Sequence, residues 1–111
     1  MDLGIKTRQA GPVTVVSVTG ELDVHTARDL ELALGDLISN GQHNVVIDLR
    51  ELSFLDSTGL SVLVKSLKWA KEAGGGLRVV AVDDKISKVF TITGLDEAMS
   101  LSSALPVEVA D

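Results

Sequence analysis

Few residues in this 111-residue chain have the types and spacing that chemistry requires. His25 and His43 are its two histidines, and they lack the i, i+4 relation that sets two imidazoles on one helix face. A metal site would have to borrow carboxylates such as Asp23 or Asp48, and both histidines read as solvated side chains instead. No cofactor or metal is expected. Cysteine is absent, which removes disulfides, thiolate metal sites and a Cys nucleophile together. Ser57 sits in no Gly-x-Ser-x-Gly elbow, and neither histidine is placed to activate it, so hydrolase chemistry has no support. No Gly-x-x-x-x-Gly-Lys-Ser/Thr phosphate loop occurs. Gly74-Gly75-Gly76 falls after a helix and before a strand, the reverse of a dinucleotide loop, and reads as a flexible turn. The chain is therefore expected not to be an enzyme.

One segment remains informative. Asp56-Ser57-Thr58-Gly59-Leu60 lies where a loop becomes a helix, so its backbone N–H groups carry the positive end of the helix dipole. Asp56 or Ser57 as an N-cap, worth about 1 kcal/mol, is the simplest reading of these residue types. Gly59 does not follow from it. Glycine in the first turn costs about 1 kcal/mol relative to alanine and implies that something approaches the backbone closely.

The surrounding elements follow from periodicity. Leu3, Ile5 and Thr7 alternate as in a strand with one wet face, and Ala10-Gly11-Pro12 turns the chain. Val13 to Thr19 is almost wholly β-branched and is expected to pair with it as a hairpin. Gly20-Glu21-Leu22-Asp23 ends that strand, with Asp23 placed to cap the next helix. Ala27, Leu30, Leu34, Leu37 and Ile38 recur at helical spacing, and Asn40-Gly41 stops that helix. Val45 to Leu49 reads as a strand buried on both faces. Arg50 to Asp56 reads as a connection. The helix after it directs Leu60, Leu63, Val64 and Leu67 inward and Lys65, Lys68 and Lys71 to solvent. Trp69 shares a side with Val62 and is expected to pack in the core or half-buried, as under the C-terminal segment, with a partner anchor the competing reading. Leu77 to Val82 forms a further strand, and Asp83 or Asp84 caps a short helix carrying Ile86, Val89 and Phe90. Met99 and Leu101 suggest a final strand, while Pro106 limits any helix beyond it. Strands alternating with helices after a hairpin demand an α/β layer with mostly parallel pairing.

Composition narrows the partners. Sixteen acidic against ten basic residues leave a net charge of −6, which argues against nucleic acid, since neutralising phosphates takes clustered Lys or Arg. Phe54, Trp69 and Phe90 are too few aromatics for stacking bases. No run approaches the ~18 apolar residues of a membrane span, and the first residues show no signal-peptide pattern. A cytoplasmic protein with a single domain over residues 1–111 is the expectation.

Val45-Val46-Ile47-Asp48-Leu49 leading into Phe54-Leu55-Asp56-Ser57-Thr58-Gly59-Leu60 resembles the signature of the STAS domain, specifically of bacterial anti-sigma-factor antagonists. Gly20-Glu21-Leu22-Asp23 with Ala27 resembles a second motif of that family, and Ile92-Thr93-Gly94-Leu95 a third. The resemblance runs from the first strand to about Met99. It implies a STAS-type fold: one mixed sheet of about four or five strands, an antiparallel hairpin and then mostly parallel strands, packed with three or four helices. It also implies partner switching. The unphosphorylated antagonist binds an anti-sigma factor that is itself a serine kinase, frees the sigma factor, and is released when the kinase phosphorylates a serine; a serine phosphatase resets it. Ser57 matches that serine, with Thr58 the alternative acceptor, and Asp23 matches an acidic residue near it. Asp23, Asp56, Ser57, Thr58 and Gly59 are the expected partner-binding residues. The competing implication is a STAS adaptor or scaffold in a stress-sensing or lipid-transport assembly. Residues 103–109 depart from the family, which usually ends in a helix with an apolar stripe. A phosphate of charge about −1.5 to −2 at a helix N-terminus favours the helix, so release by local repulsion is expected rather than release by unfolding.

Overall fold

The computed structural model describes residues 2–109. Strands β1 (Leu3–Ala10) and β2 (Val13–Leu22) form the expected antiparallel hairpin, in register from Leu3↔Gly20 to Ala10↔Val13. β2 is the hub of the sheet. Strand β3 (Asn44–Asp48) pairs with its first half in parallel, and strand β4 (Leu52–Leu55) pairs in parallel with Gly20, Glu21 and Leu22. Strand β5 (Gly76–Val80) adds in parallel to β3, completing a five-stranded mixed sheet of order β1-β2-β3-β5 with β4 attached to β2.

β4 occupies part of the segment that reads from sequence as a connection. It forms because β2 does not end at Thr19. Gly20, at φ +92°, and a register shift between Gly20 and Glu21 bend β2 so that its last residues receive a second parallel partner. Leu52 and Leu55 are buried, and the Ser53 hydroxyl donates to the Gly20 carbonyl at 2.8 Å.

Helices α1 (Ala27–Ser39) and α2 (Ser57–Glu72) share a core with one face of the sheet. Val16, Val18, Val45, Ile47, Leu77 and Val79 meet Leu30, Leu34, Leu63, Leu67 and Ala70 there. Val64 is not part of it: it is 41% exposed, and Val62, Ser66 and Ala70 are buried instead. Because α2 lies against α1, its buried arc widens on that side and turns Val64 outward. Ser66 avoids the cost of a buried hydroxyl by donating to the Val62 carbonyl at 2.8 Å. Trp69 is half-buried and faces Gly35 of α1.

Helix α3 (Asp84–Ile92) begins at Asp83, whose carboxylate accepts from the Lys85 and Ile86 N–H groups, and buries Ile86 and Phe90. A short helix α4 (Leu95–Ala98) follows Gly94. Met99 is fully buried, but Met99 and Leu101 form no strand. One parallel bridge, Val80↔Ser102, is made there, and Ser100 adopts a positive φ of 45° that breaks extension. The remaining chain covers the other sheet face, where Val109 and Leu105 pack on Val13, Val15, Val46 and Val80. Arg8 donates to the Val109 carbonyl at 2.6 Å. Ala110 and Asp111, the end of the stretch left open by the sequence, lie outside the described residues. The Gly74-Gly75-Gly76 turn is packed rather than loose: Gly75 donates to the Ala70 carbonyl at 2.8 Å, Gly76 donates to that of His43 at 2.9 Å, and the Gly75 backbone abuts His43 too closely for a side chain.

Phe90 is a large, fully buried side chain in this core. Phe90→Ala is expected to lower the unfolding free energy by about 3–5 kcal/mol in urea denaturation, as aromatic truncation in a packed core does.

Candidate functional site

The carboxyl ends of β2 and β4 bring the two acidic positions together. Leu22 pairs with Leu55, so Asp23 and Asp56 each lie one residue beyond that pair. The Asp56 N–H donates to the Leu22 carbonyl at 3.2 Å, tying the start of α2 to the end of β2.

Asp56 is the N-cap of α2. Its Oδ1 accepts from the Thr58 N–H at 2.9 Å and from the Gly59 N–H at 3.1 Å, while its carbonyl accepts from Leu60 at 3.0 Å. Two of the four donors that a helix start leaves without intrahelical partners, the Thr58 and Gly59 N–H groups, are thereby satisfied by one side chain. Ser57 is consequently not needed as a cap. It is exposed, it opens the helix, and its hydroxyl makes no hydrogen bond among the described residues. Thr58 is half-buried and Gly59 buried.

The close approach that Gly59 implies comes from within. A Cβ there would lie 2.6 Å from Leu22 Cγ and 2.9 Å from Leu55 Cδ1. Glycine lets the first turn of α2 settle onto the leucines that pair β2 with β4, and no external group is required to account for it. Asp23 also differs from its expected part: the N-cap of α1 is Thr26, which makes no side-chain cap bond. Asp23 instead organises the turn before the helix. Its Oδ1 accepts from the N–H groups of His25 at 2.9 Å and Thr26 at 3.2 Å. Thr26, unremarked in the sequence, completes the turn, donating its hydroxyl to the Glu21 carbonyl at 2.7 Å and accepting from the Asp23 N–H at 3.0 Å.

The His25 N–H is the chief reason that the Asp23 carboxyl lies below the usual carboxylate range; burial opposes the shift, and the Thr26 N–H and hydroxyl reinforce it. The turn thus holds a negative charge beside the start of α2. Two apolar side chains flank this edge in exposed positions, Val24 immediately after Asp23 (64% exposed) and Phe54 on β4 (46%). Neither carries a periodic signal, so sequence alone does not single them out. His43 is remote from this edge, against Gly75, and no group of three or more metal-ligating side chains occurs among the described residues.

The fold recurs in known proteins. The sequence profile of the STAS domain matches residues 4–107. The chain is 35% identical over 108 residues to the anti-sigma-B factor antagonist of Staphylococcus aureus, covering 97% of this chain and all of that one. The crystal structure of an anti-sigma factor antagonist from Mycobacterium paratuberculosis superposes with a TM-score of 0.84 at 34% identity, over 94% of this chain and 88% of that one. The fold is also that of the Bacillus cell fate determinant SpoIIAA in its phosphorylated form, with a TM-score of 0.68 at 21% identity over 92% of each chain.

Three outcomes follow from the site's geometry. Asp56→Ala removes the acceptor of two helix N–H groups and is expected to cost about 1 kcal/mol in urea denaturation, whereas Gly59→Ala, which drives a methyl into Leu22 and Leu55, costs about 1–3 kcal/mol despite the better helix propensity of alanine. Asp23, with its folded-state pKa lowered, contributes stability that is fully present above the unfolded carboxylate pKa of about 3.9 and is lost as pH falls through the folded value. Acid titration of Asp23→Asn followed by circular dichroism is expected to show a shallower loss of stability in that acid range than the wild type.

Proposed function

The chain belongs to the STAS domain family, and from that premise we propose that it is an anti-sigma factor antagonist, a single regulatory domain with no catalytic activity of its own, working in the cytoplasm. Its unphosphorylated form holds an anti-sigma factor that is a serine kinase, and the sigma factor is thereby freed. The kinase transfers the γ-phosphoryl group of ATP to Ser57: a bond forms between Oγ and phosphorus, the bond to ADP breaks, and the hydroxyl proton leaves to solvent or a kinase base. The modified protein no longer holds the kinase until a serine phosphatase hydrolyses the ester. The chain's likeness to bacterial antagonists, at 35% identity across the full length of one, supports the class of partner. No helix among the described residues is long and apolar enough to cross a membrane.

One observation carries the assignment of Ser57. Asp56 does the capping, so an exposed, unengaged hydroxyl stands at the mouth of a 16-residue helix. Val24 and Phe54 give the surrounding edge an apolar margin against which a partner can exclude water. Phosphate here adds about −1.5 to −2 charges to a site already holding Asp56 and Asp23. The N-terminus of α2 welcomes an anion, so the helix persists. The partner, docked over that edge, then faces a buried and poorly solvated charge. Each ~1.4 kcal/mol of such penalty lowers affinity tenfold.

The binding of variants to the cognate anti-sigma kinase tests this reading by calorimetry. Ser57→Ala is expected to bind like the unphosphorylated wild type and to stay bound when ATP is added. Ser57→Asp is expected to bind at least about tenfold more weakly, a change of ~1.4 kcal/mol, with an unchanged far-ultraviolet dichroism spectrum. If both variants bind and release as the wild type does, Ser57 is only the first residue of a helix. Recovery of a transporter or sensor protein in place of a kinase would favour the adaptor role.

A further inference from the structure

At the opposite end of α1 and α2 lies a groove that plays no part in the site at Ser57. The two helices run side by side in the same direction, with a constant offset. Lys65 pairs with Glu31 at 3.2 Å, and the Trp69 ring lies over Gly35, where a Cβ would be 3.6 Å from Cζ3. Each contact joins residues 34 apart, and the next four-residue step sets Ala73 beside Ser39. Both helices therefore end together, at C-caps Asn40 and Ala73. A groove of about 600 Å³ opens between these ends, lined by Gly35, Ile38, Ser39, Trp69, Glu72 and Ala73.

Its lining combines an apolar floor with one carboxylate. Ile38 and the half-buried Trp69 ring make an apolar and aromatic floor, and Gly35 puts no side chain between the ring and the groove. Glu72 supplies a carboxylate at the rim. The negative ends of two helix dipoles converge there; Lys71 in the last turn of α2 offsets one of them but does not line the groove, and α1 has no basic residue in its last turn. No Lys or Arg lines the groove; Lys65, one turn before Trp69, is engaged with Glu31. An anionic rim over an aromatic floor suits a cation with a flat, weakly hydrated head that stacks on indole while donating to a carboxylate. Guanidinium matches that description better than ammonium.

We propose that this groove is a docking site for an arginine side chain presented by a partner protein, with the guanidinium against Trp69 and Glu72. Fifteen residues of helix separate Ser57 from Glu72, about 22 Å at 1.5 Å per residue. A protein held here leaves the Ser57 edge open, so the chain has two faces for two partners at once, and the second is insensitive to phosphorylation.

Trp69 is the single tryptophan of the chain, so its fluorescence reports on this groove alone. Acetyl-Gly-Arg-Gly-amide, titrated at about 150 mM salt to suppress long-range attraction to the acidic chain, is expected to give a saturable change in the millimolar range. The Lys peptide is expected to bind more weakly, and the norleucine peptide not at all. Glu72→Gln is expected to weaken arginine binding about fivefold or more, and Ser39→Lys, which places a cation in the groove, about tenfold or more. Both positions are solvent-facing, and a lysine near a helix C-terminus favours the helix, so these variants retain the fold. Ser57→Asp is expected to leave the titration unchanged, which separates this site from the antagonist reading. Absence of saturation, equal binding of the norleucine peptide, or wild-type affinity in both groove variants overturns the proposal.

Discussion

The carboxylate of Asp56 accepting from the Thr58 and Gly59 N–H groups is the interaction on which the rest depends. A helix start must find acceptors for its first donors, and in Asp-Ser-Thr sequences any of the three side chains is chemically able to serve. Here the aspartate serves, and the adjacent serine is left exposed. The same cap places a fixed negative charge beside the hydroxyl. Any anion added to Ser57 therefore enters a site whose dipole stabilises it and whose neighbouring carboxylates repel it, a combination that preserves the helix while altering the surface.

That cap is held in place by the sheet. β2 bends at Gly20 and accepts β4, and the Leu22↔Leu55 pair sets the ends of the two strands level. Gly59 allows α2 to sit directly on those leucines. Asp23, at the matching position on β2, spends its carboxylate on the His25 and Thr26 N–H groups and so stiffens the neighbouring turn. On the far face, Val109 and the Arg8 contact to its carbonyl cover valines that helices do not reach. The chain thus leaves Ser57 exposed at the carboxyl ends of β2 and β4 and buries the sheet's apolar faces.

Much of this was legible in the residues. The hairpin, the buried strands β3 and β5, and the helices α1 to α3 follow from alternation, helical spacing and capping aspartates. β4 did not show itself because its burial runs in, out, out, in, matching neither period, and because it exists only where β2 bends to meet it. Val64 was placed inward by its own helix, whereas the position of α1 decides which arc of α2 is covered. The motif around Ser57 was readable as a helix entrance, but which side chain caps it is a matter of geometry. Gly59 signalled a close approach without saying from which side. Asp23 was recognised as an acceptor, yet the intervening Thr26 made it the acceptor of a turn and not of α1.

The most direct measurement is tandem mass spectrometry of the full chain after incubation with the proposed anti-sigma kinase and ATP. The account predicts a single phosphate, on Ser57, in the peptide that also contains Thr58 and Ser61. A phosphate on Thr58 or Ser61 with none on Ser57, or no transfer while the kinase phosphorylates another substrate in the same reaction, would contradict it.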